Sequence, residues 1–280
     1  MTPKAILILV ISIFVLVASF FYWLGGYVTT KKMTKVRKAA VIVEAARAKK
    51  AALPIVPKKF NNPRVAIVMD DFGYNLKDMD LFFSIREPIT LSILPNLRYS
   101  RQIAGLGSSH DKETILHMPL ESHNPNIREE ADTIRVGMSE KDILERLKKS
   151  IGSIPGLSGV SNHEGSKATE DKQVMTAILK YLKDNDLYFL DSLTSQKSVC
   201  DEVAKAVGIR HAKRDMFLDN TDSPDYIEKQ LVSLRKLAFR KGRAIAICHD
   251  RKNTIQVLAK MMPDMTKDGV QFVRLSDMVK

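Results

Sequence analysis

The chain of 280 residues is 45% hydrophobic and 27% charged and contains two cysteines, a balance that excludes wholesale disorder, a disulfide scaffold and the Cys-x-x-Cys zinc modules. Its net charge of +12 belongs to one end: residues 1–59 hold 11 Lys and Arg against the single acid Glu44, whereas the other 221 residues hold 33 against 31. The larger part therefore carries no polyanion footprint, and no nucleic-acid partner is expected.

Residues 5–24 form a run of 20 uncharged residues, in which Ser12 and Ser19 are the clearly polar members. At about 1.5 Å per residue such a run spans a hydrocarbon core of about 30 Å. Tyr22 and Trp23 stand at its exit, where amphipathic rings favour the interface. The run is longer than a signal-peptide core and no A-x-A site comes after it, so residues 1–28 read as an uncleaved transmembrane anchor. Lys31, Lys32, Lys35, Arg37 and Lys38 come next, and the positive-inside rule alone would keep the C-terminal side of the span in the cytoplasm. Residues 39–52 read as a helical stem and residues 53–63, with three prolines, as a linker. Residues 29–59 are thus a basic spacer that touches anionic lipid headgroups, and residues 60–280 are the folded domain.

That domain alternates apolar runs with helical patterns. The runs 64–69, 89–94, 114–116, 159–161, 187–190, 216–218 and 244–248 read as strands, with 270–273 as a last one. They are nearly continuous in apolar residues, as strands buried on both faces of a parallel sheet are. Between them, Ser139 opens a helix carrying Ile143, Leu144, Leu147 and Ile151. Thr169 opens one carrying Val174, Met175, Ile178, Leu179 and Leu182. Ser223-Pro224 opens one that stops at Gly242. Repeated β-then-α units imply a parallel sheet, doubly wound or closed as a (β/α) barrel. A barrel is favoured because polar residues follow the C-terminal ends of at least five strands, the rim where chemistry gathers.

Asp70 and Asp71 end the first run. Adjacent carboxylates repel, and a cation offsets that repulsion, so one carboxylate can hold metal while the other handles a proton; the bland alternative is a solvated turn. His117 follows the third run, with Glu121 four residues on, and His163 follows the fourth, in a loop tightened by Gly165 and Ser166. One Asp and two His make a set suited to zinc or another first-row cation. His249 ends the AIAIC strand beside Asp250 and suits a general acid, with packing as the equal alternative. Arg214-Asp215 and Asp191-Ser192 are candidates to orient ligands or tune His249. His110, His123 and His211 lack a strand-end setting and read as surface residues. No G-x-G-x-x-G follows the first strand, and no Walker A or G-x-S-x-G run is present, which argues against dinucleotide, P-loop and serine-hydrolase chemistry.

In order along the chain, VAIVMDDFGYN, LSILPN, ILHMPLES, GVSNHEGSKAT, YFLDSLTS, KRDMFLDN and AIAICHDRKNT resemble the divergent polysaccharide deacetylases (the YibQ-like group), remote relatives of the NodB-type carbohydrate esterases. The resemblance covers residues 60–280. It implies an α/β fold, a deformed (β/α) barrel of about seven parallel strands, and a divalent-metal hydrolase, with zinc expected, that removes N-acetyl groups from an envelope polysaccharide. Asp70 matches the family's catalytic base, Asp71 and His117 its metal ligands, and His249 its acid. NodB enzymes carry His-x-x-x-His where this chain has His117-x-x-x-Glu121, so His163 is taken as the third ligand, with Glu121 as the second choice. Glu164 stands where the divergent group commonly has Met after Asn-His. Asn162, Ser166, Asp191, Ser192, Arg214 and Asp215 are taken as supporting residues, and Phe72, Tyr74 and Asn75 as sugar contacts. The partners implied are an acetylated polysaccharide and inner-membrane lipid, the chain being single-pass with its domain in the periplasm, against the charge asymmetry. The competing class is a non-catalytic sugar-binding or envelope scaffold built on a degenerate deacetylase barrel.

Overall fold

A computed structural model describes residues 60–280, so the expected anchor, stem and most of the linker lie outside the described residues. Among the described residues no helix is long and apolar enough to cross a membrane.

The apolar run that ends in the paired aspartates forms β1 (Arg64–Phe72), buried over most of its length. It lies at the middle of a sheet in which every pairing is parallel. On one side come β2 (Thr90–Ile93), β3 (Thr114–Leu120), β4 (Gly159–Glu164), β5 (Tyr188–Asp191) and β6 (His211–Lys213); on the other lie β8 (Arg243–His249) and then β7 (Met216–Phe217). The short β9 (Gln271–Phe272) pairs with the start of β1. The helices are α1 (Met79–Ser84), α2 (Ser100–Ser109), α3 (Glu140–Ser153), α4 (Lys172–Asp184), α5 (Cys200–Val207), α6 (Pro224–Lys241) and α7 (Lys252–Lys267).

The sheet curls into a half-barrel. In a flat sheet β5 and β8, five places apart, would be separated by roughly 24 Å at the usual strand spacing. Instead Val68 of β1, Ile115 of β3, Tyr188 and Leu190 of β5, and Ile245 and Ile247 of β8 share one buried cluster. The edges β6 and β7 do not pair with each other. The C-terminal segment helps to fill the opening: Leu275 and Met278 join the same cluster, and Lys280 exchanges backbone hydrogen bonds of 2.9 and 3.2 Å with His211. Gly159 is required by this curl, since a Cβ there would stand 2.5 Å from the Tyr188 ring.

Helix starts follow the sequence in two cases of three. Ser139 caps α3, accepting from the Asp142 N–H at 3.2 Å, and Pro224 occupies the first turn of α6, which ends at Gly242 with φ 82°. The cap of α4 is Asp171, not Thr169: Asp171 accepts from the Val174 N–H at 2.9 Å, whereas the Thr169 hydroxyl donates to the Gly165 carbonyl at 2.8 Å. Both cysteines are buried and free.

Candidate active site

Four strands bring their C-terminal ends to one place. Asp70 stands opposite His249 of β8 in the register, and His163 of β4 stands opposite Pro119 of β3, two residues beyond His117. Successive residues of a strand normally point to opposite faces. Here the register of β1 shifts between Met69 and Phe72, and Asp71 takes a left-handed φ of 68°. Such a backbone costs of order 1–3 kcal/mol in a non-glycine residue and re-aims the side chain. As a result both aspartates reach the same atom: His117 Nε2 lies 3.6 Å from Asp70 Oδ2 and 3.5 Å from Asp71 Oδ1.

His163 Nδ1 comes within 3.1 Å of the same Asp71 oxygen, and the two imidazoles meet edge to face with centroids 4.9 Å apart. One ligand-type atom from each of Asp71, His117 and His163 lies within 4.8 Å of the others. Asp71 Oδ1 is buried yet accepts no hydrogen bond of good geometry, and Asp70 Oδ1 is in the same condition. A buried oxygen without a donor, facing two imidazole nitrogens, is a donor set that a divalent cation completes.

The electrostatics agree with that geometry. Burial pushes the Asp71 carboxyl up, but the His117 and His163 imidazoles outweigh it and hold the group well below the usual carboxylate range. Burial lowers His163, yet the Asp71 carboxylate more than offsets this and raises it. Asp70 behaves differently: burial raises it, with the Asp71 charge adding to the rise and His117 opposing it. Two adjacent carboxylates are thereby driven apart, one firmly ionised and one poised to take a proton.

His249 sits at the end of β8 with a carboxylate behind it. Its Nδ1–H donates to Asp219 Oδ1 at 2.8 Å, while Asp219 Oδ2 accepts from the His249 N–H and the Thr254 hydroxyl, each at 2.8 Å. Burial lowers His249, and fully buried Asp219 reverses this and raises it. Phe217 stacks on the His249 ring at 5.8 Å, and the Arg214 guanidinium lies 3.6 Å over Phe217. Arg214 is fixed by the Ser192 carbonyl at 2.7 Å and the Leu193 carbonyl at 3.0 Å. Asp219 backs His249 although it is not among the residues expected from the sequence; it closes the strand-like run 216–218 as the other site residues close theirs.

The remaining expected residues divide. Asn162 and Ser192 tie β4 to β5: the Ser192 N–H donates to Asn162 Oδ1 at 2.8 Å and its hydroxyl to the Asn162 carbonyl at 2.9 Å. Asp191 accepts from the Leu193 N–H and the Ser198 hydroxyl, both at 2.7 Å, and so shapes the loop that holds Arg214. Ser166 accepts from the His123 N–H at 2.9 Å and joins two rim loops. Asn75 accepts from the Lys77 N–H at 2.7 Å within the loop after β1. Glu121 does not enter the ligand set: one oxygen holds Lys167 and the other the Val136 N–H, each at 2.8 Å, so it anchors the long loop after β3. Asp215 is not brought to the site either, because it accepts from the Ile245 N–H at 2.9 Å and from Lys241 at 3.0 Å, toward the start of β8. Phe72 is wholly buried and contacts no solvent, whereas Tyr74 is 52% exposed at the rim and donates to Glu130. His211 is half-buried and paired with Asp201 at 2.9 Å rather than free on the surface. A cleft of about 370 Å³ opens beside His163, walled by Glu121, Ser122, His123, Glu129, Glu164 and Lys167.

Comparison with known proteins is consistent with this picture. The profile of the divergent polysaccharide deacetylases matches residues 67–279. An uncharacterized protein of Haemophilus influenzae is 32% identical over 219 residues, 78% of this chain and 78% of its own length. The uncharacterized protein YibQ of Escherichia coli is 29% identical over 216 residues, 77% of this chain and 67% of its own. Among solved structures, an uncharacterized protein of Agrobacterium tumefaciens superposes with a TM-score of 0.75 over 82% of this chain and 94% of its own, at 24% identity, a likeness of fold.

Proposed function

The chain belongs to the divergent polysaccharide deacetylase family, and on that premise we propose that it is a metal-dependent hydrolase of linear amides, removing N-acetyl groups from an envelope polysaccharide. The observation that carries the reading is the convergence of Asp71, His117 and His163 within 4.8 Å beside a second carboxylate and a carboxylate-backed histidine.

Asp71, His117 and His163 are the residues that would hold the cation, and their one oxygen and two nitrogens suit zinc. A divalent cation there supplies Lewis acidity to the acyl oxygen and to water. Asp70, raised by burial, accepts the proton of the attacking water. His249, kept protonated by Asp219, donates to the departing amine nitrogen. The cleft beside His163 has room for sugar rings next to the acetamide that reacts. Full-length protein supplied with zinc is expected to release acetate from N-acetylated oligosaccharides, to stop when chelated, and to recover on re-addition. Cation binding without acetate release from any such substrate would instead make the domain a sugar-binding or scaffold module.

The same reading puts the domain in the periplasm, tethered to the inner membrane by residues 5–24 with the basic residues after them near lipid headgroups. The support is the uncharged run itself and the location of envelope polysaccharide. A reporter fused after Lys59 is expected to be active only in its periplasmic form; activity only of a cytoplasmic reporter would reverse the orientation.

A further inference from the structure

The unpaired edges β6 and β7 leave a seam in the half-barrel, and a cleft of about 500 Å³ opens there, walled by Phe60, Lys213, Asp215, Arg240, Lys241 and Arg243. Lys213 ends β6, Asp215 stands just before β7, Arg243 begins β8, and Arg240 and Lys241 close α6. Four cations thus meet one carboxylate. Asp215 is already committed to Lys241 at 3.0 Å and to the Ile245 N–H. Arg243 donates to the Met278 carbonyl, which leaves its charge uncompensated. Among the described residues, neither Lys213 nor Arg240 forms a side-chain hydrogen bond or ion pair, and both are exposed. The α6 dipole accounts for cations in its last turn, but not for Lys213 or Arg243, which come from other elements.

The cleft lies where the chain enters the domain. The Phe60 N–H donates to the Phe239 carbonyl and the Arg64 N–H to the Gly242 carbonyl, each at 3.1 Å, and the Phe60 ring lies against Gly242. Arg64 and Arg243 are paired at the starts of β1 and β8, and Asp70 and His249 are paired at the other end. From residue 64 to residue 70, at about 3.3 Å per residue, the strand rises roughly 20 Å, which separates this end of the domain from the candidate active site. In the sequence, Lys58 and Lys59 directly precede Phe60, and the uncharged run long enough to span a bilayer ends at Leu24.

We propose that this cleft seats the folded domain on an anionic phospholipid surface, its cations taking lipid phosphates, so that the starts of β1 and β8 face the bilayer and the rim with Asp70 and His249 faces away from it. The proposal rests on the reading of residues 5–24 as a membrane anchor and goes beyond it. A tether alone leaves the domain able to turn, whereas a second contact fixes which end approaches the lipid. Charge complementarity and the point of chain entry select this occupant: a soluble polyanion would match the charge, but not its place beside the start of the domain. Each cation near an anionic surface strengthens attachment roughly five-fold, and a tether makes that attachment intramolecular, so that a few cations suffice.

The test reconstitutes the full-length chain in vesicles of phosphatidylcholine alone, or of equal parts phosphatidylcholine and phosphatidylglycerol, with an acceptor dye on a minority of headgroups. A donor dye is attached through Asn62→Cys, beside the chain entry, or through Asn126→Cys, in the long loop after β3; both positions are exposed, whereas Cys200 and Cys248 are buried. Phosphatidylglycerol should raise energy transfer from position 62 and lower it from position 126, and strong salt should abolish the change. Lys213→Gln combined with Arg240→Gln keeps every basic residue before Phe60, yet should weaken docking roughly 25-fold with the unfolding midpoint unmoved. Transfer that ignores phosphatidylglycerol, or that the double variant reproduces unchanged, would overturn the proposal. So would release of the domain by inorganic phosphate at constant ionic strength, which would make the cleft a site for soluble anions. A chain that salt strips from the vesicles altogether would remove the anchor reading, while the response of the double variant would still decide the cleft.

Discussion

Asp71→Asn is expected to lose the cation, and Asp70→Asn to keep it and lose turnover, although the two residues are adjacent and reach the same imidazole nitrogen. The difference lies in what each carboxylate faces. Asp71 Oδ1 has an imidazole nitrogen on either side, at 3.1 and 3.5 Å, and those imidazoles hold it ionised. An amide in its place presents no charge, and its NH₂ can turn a donor toward nitrogens that must themselves be lone-pair ligands. The loss of affinity should exceed the roughly 10–100-fold that an outer, orienting residue contributes. Asp70 is poised instead by burial, which raises it against the opposing pull of His117 and, more weakly, His249, and one of its buried oxygens accepts no hydrogen bond. Asparagine keeps its shape and removes its basicity, which should lower kcat by about 10²–10⁴ with cation binding little changed. A buried carboxylate oxygen without a donor is also a cost to the fold, so Asp70→Asn should unfold no earlier than the parent. Calorimetric titration with zinc, acetate release and thermal unfolding of the same three full-length proteins separate these effects. A fully active Asp70→Asn protein, or an Asp71→Asn protein that binds zinc as the parent does, would exchange or abolish the two roles.

The site was legible because the strands that build it are mostly apolar until a first ionisable residue interrupts the run. Asp70, His117, His163 and His249 are those residues; His163 and His249 stand where the strand meets the rim, whereas Asp70 and His117 are still buried and β3 continues to Leu120. What one strand cannot reveal is its neighbour. Nothing local tells β1 to lie between β2 and β8, which is what sets Asp70 against His249. Nor does an Asp-Asp pair announce the shift in register that brings both side chains to one face. Glu121 is suggested by a four-residue spacing, which places side chains together on a helix; here β3 ends at Leu120 and the spacing leads away into a loop. Asp219 also follows a run that reads as a strand, 216–218; what the sequence does not reveal is that β7 lies beside β8, which sets Asp219 against His249. Ser92 and Ser161 are single small polar residues inside otherwise ordinary strands, and the hydrogen bonds that join them to each other and to His117 appear only when β2, β3 and β4 are laid side by side. Asp171 takes the cap of α4 from Thr169 because the threonine hydroxyl finds a carbonyl in its own turn, the local competition that serine and threonine bring to any cap.

Asp219→Asn should displace the alkaline limb of activity to lower pH. His249 is raised because its Nδ1–H donates to a fully buried carboxylate 2.8 Å away, against a burial that by itself lowers it. Asparagine removes the charge and leaves the burial, so the imidazole loses its proton at lower pH than in the parent. A general acid must carry its proton into the reaction, hence kcat/KM falls as pH rises through this pKa, and in the variant it begins to fall sooner. Above the displaced limb the deficit should approach the roughly 10²–10⁴ of a lost general acid, and in acid, where both proteins hold His249 protonated, most of the difference should vanish. Stability should carry the same signature. The raised histidine stabilises the fold below its unfolded pKa of about 6.5 and ceases to do so as pH rises through its folded value; the lowered Asp219 stabilises above about 3.9 and ceases to do so as pH falls. The pair therefore contributes most between those limits, and unfolding midpoints of the variant should depend less on pH on both sides. A rate lowered equally at every pH would leave Asp219 a structural clamp on the His249 backbone and Thr254, and a limb displaced upward would remove His249 from the acid's role.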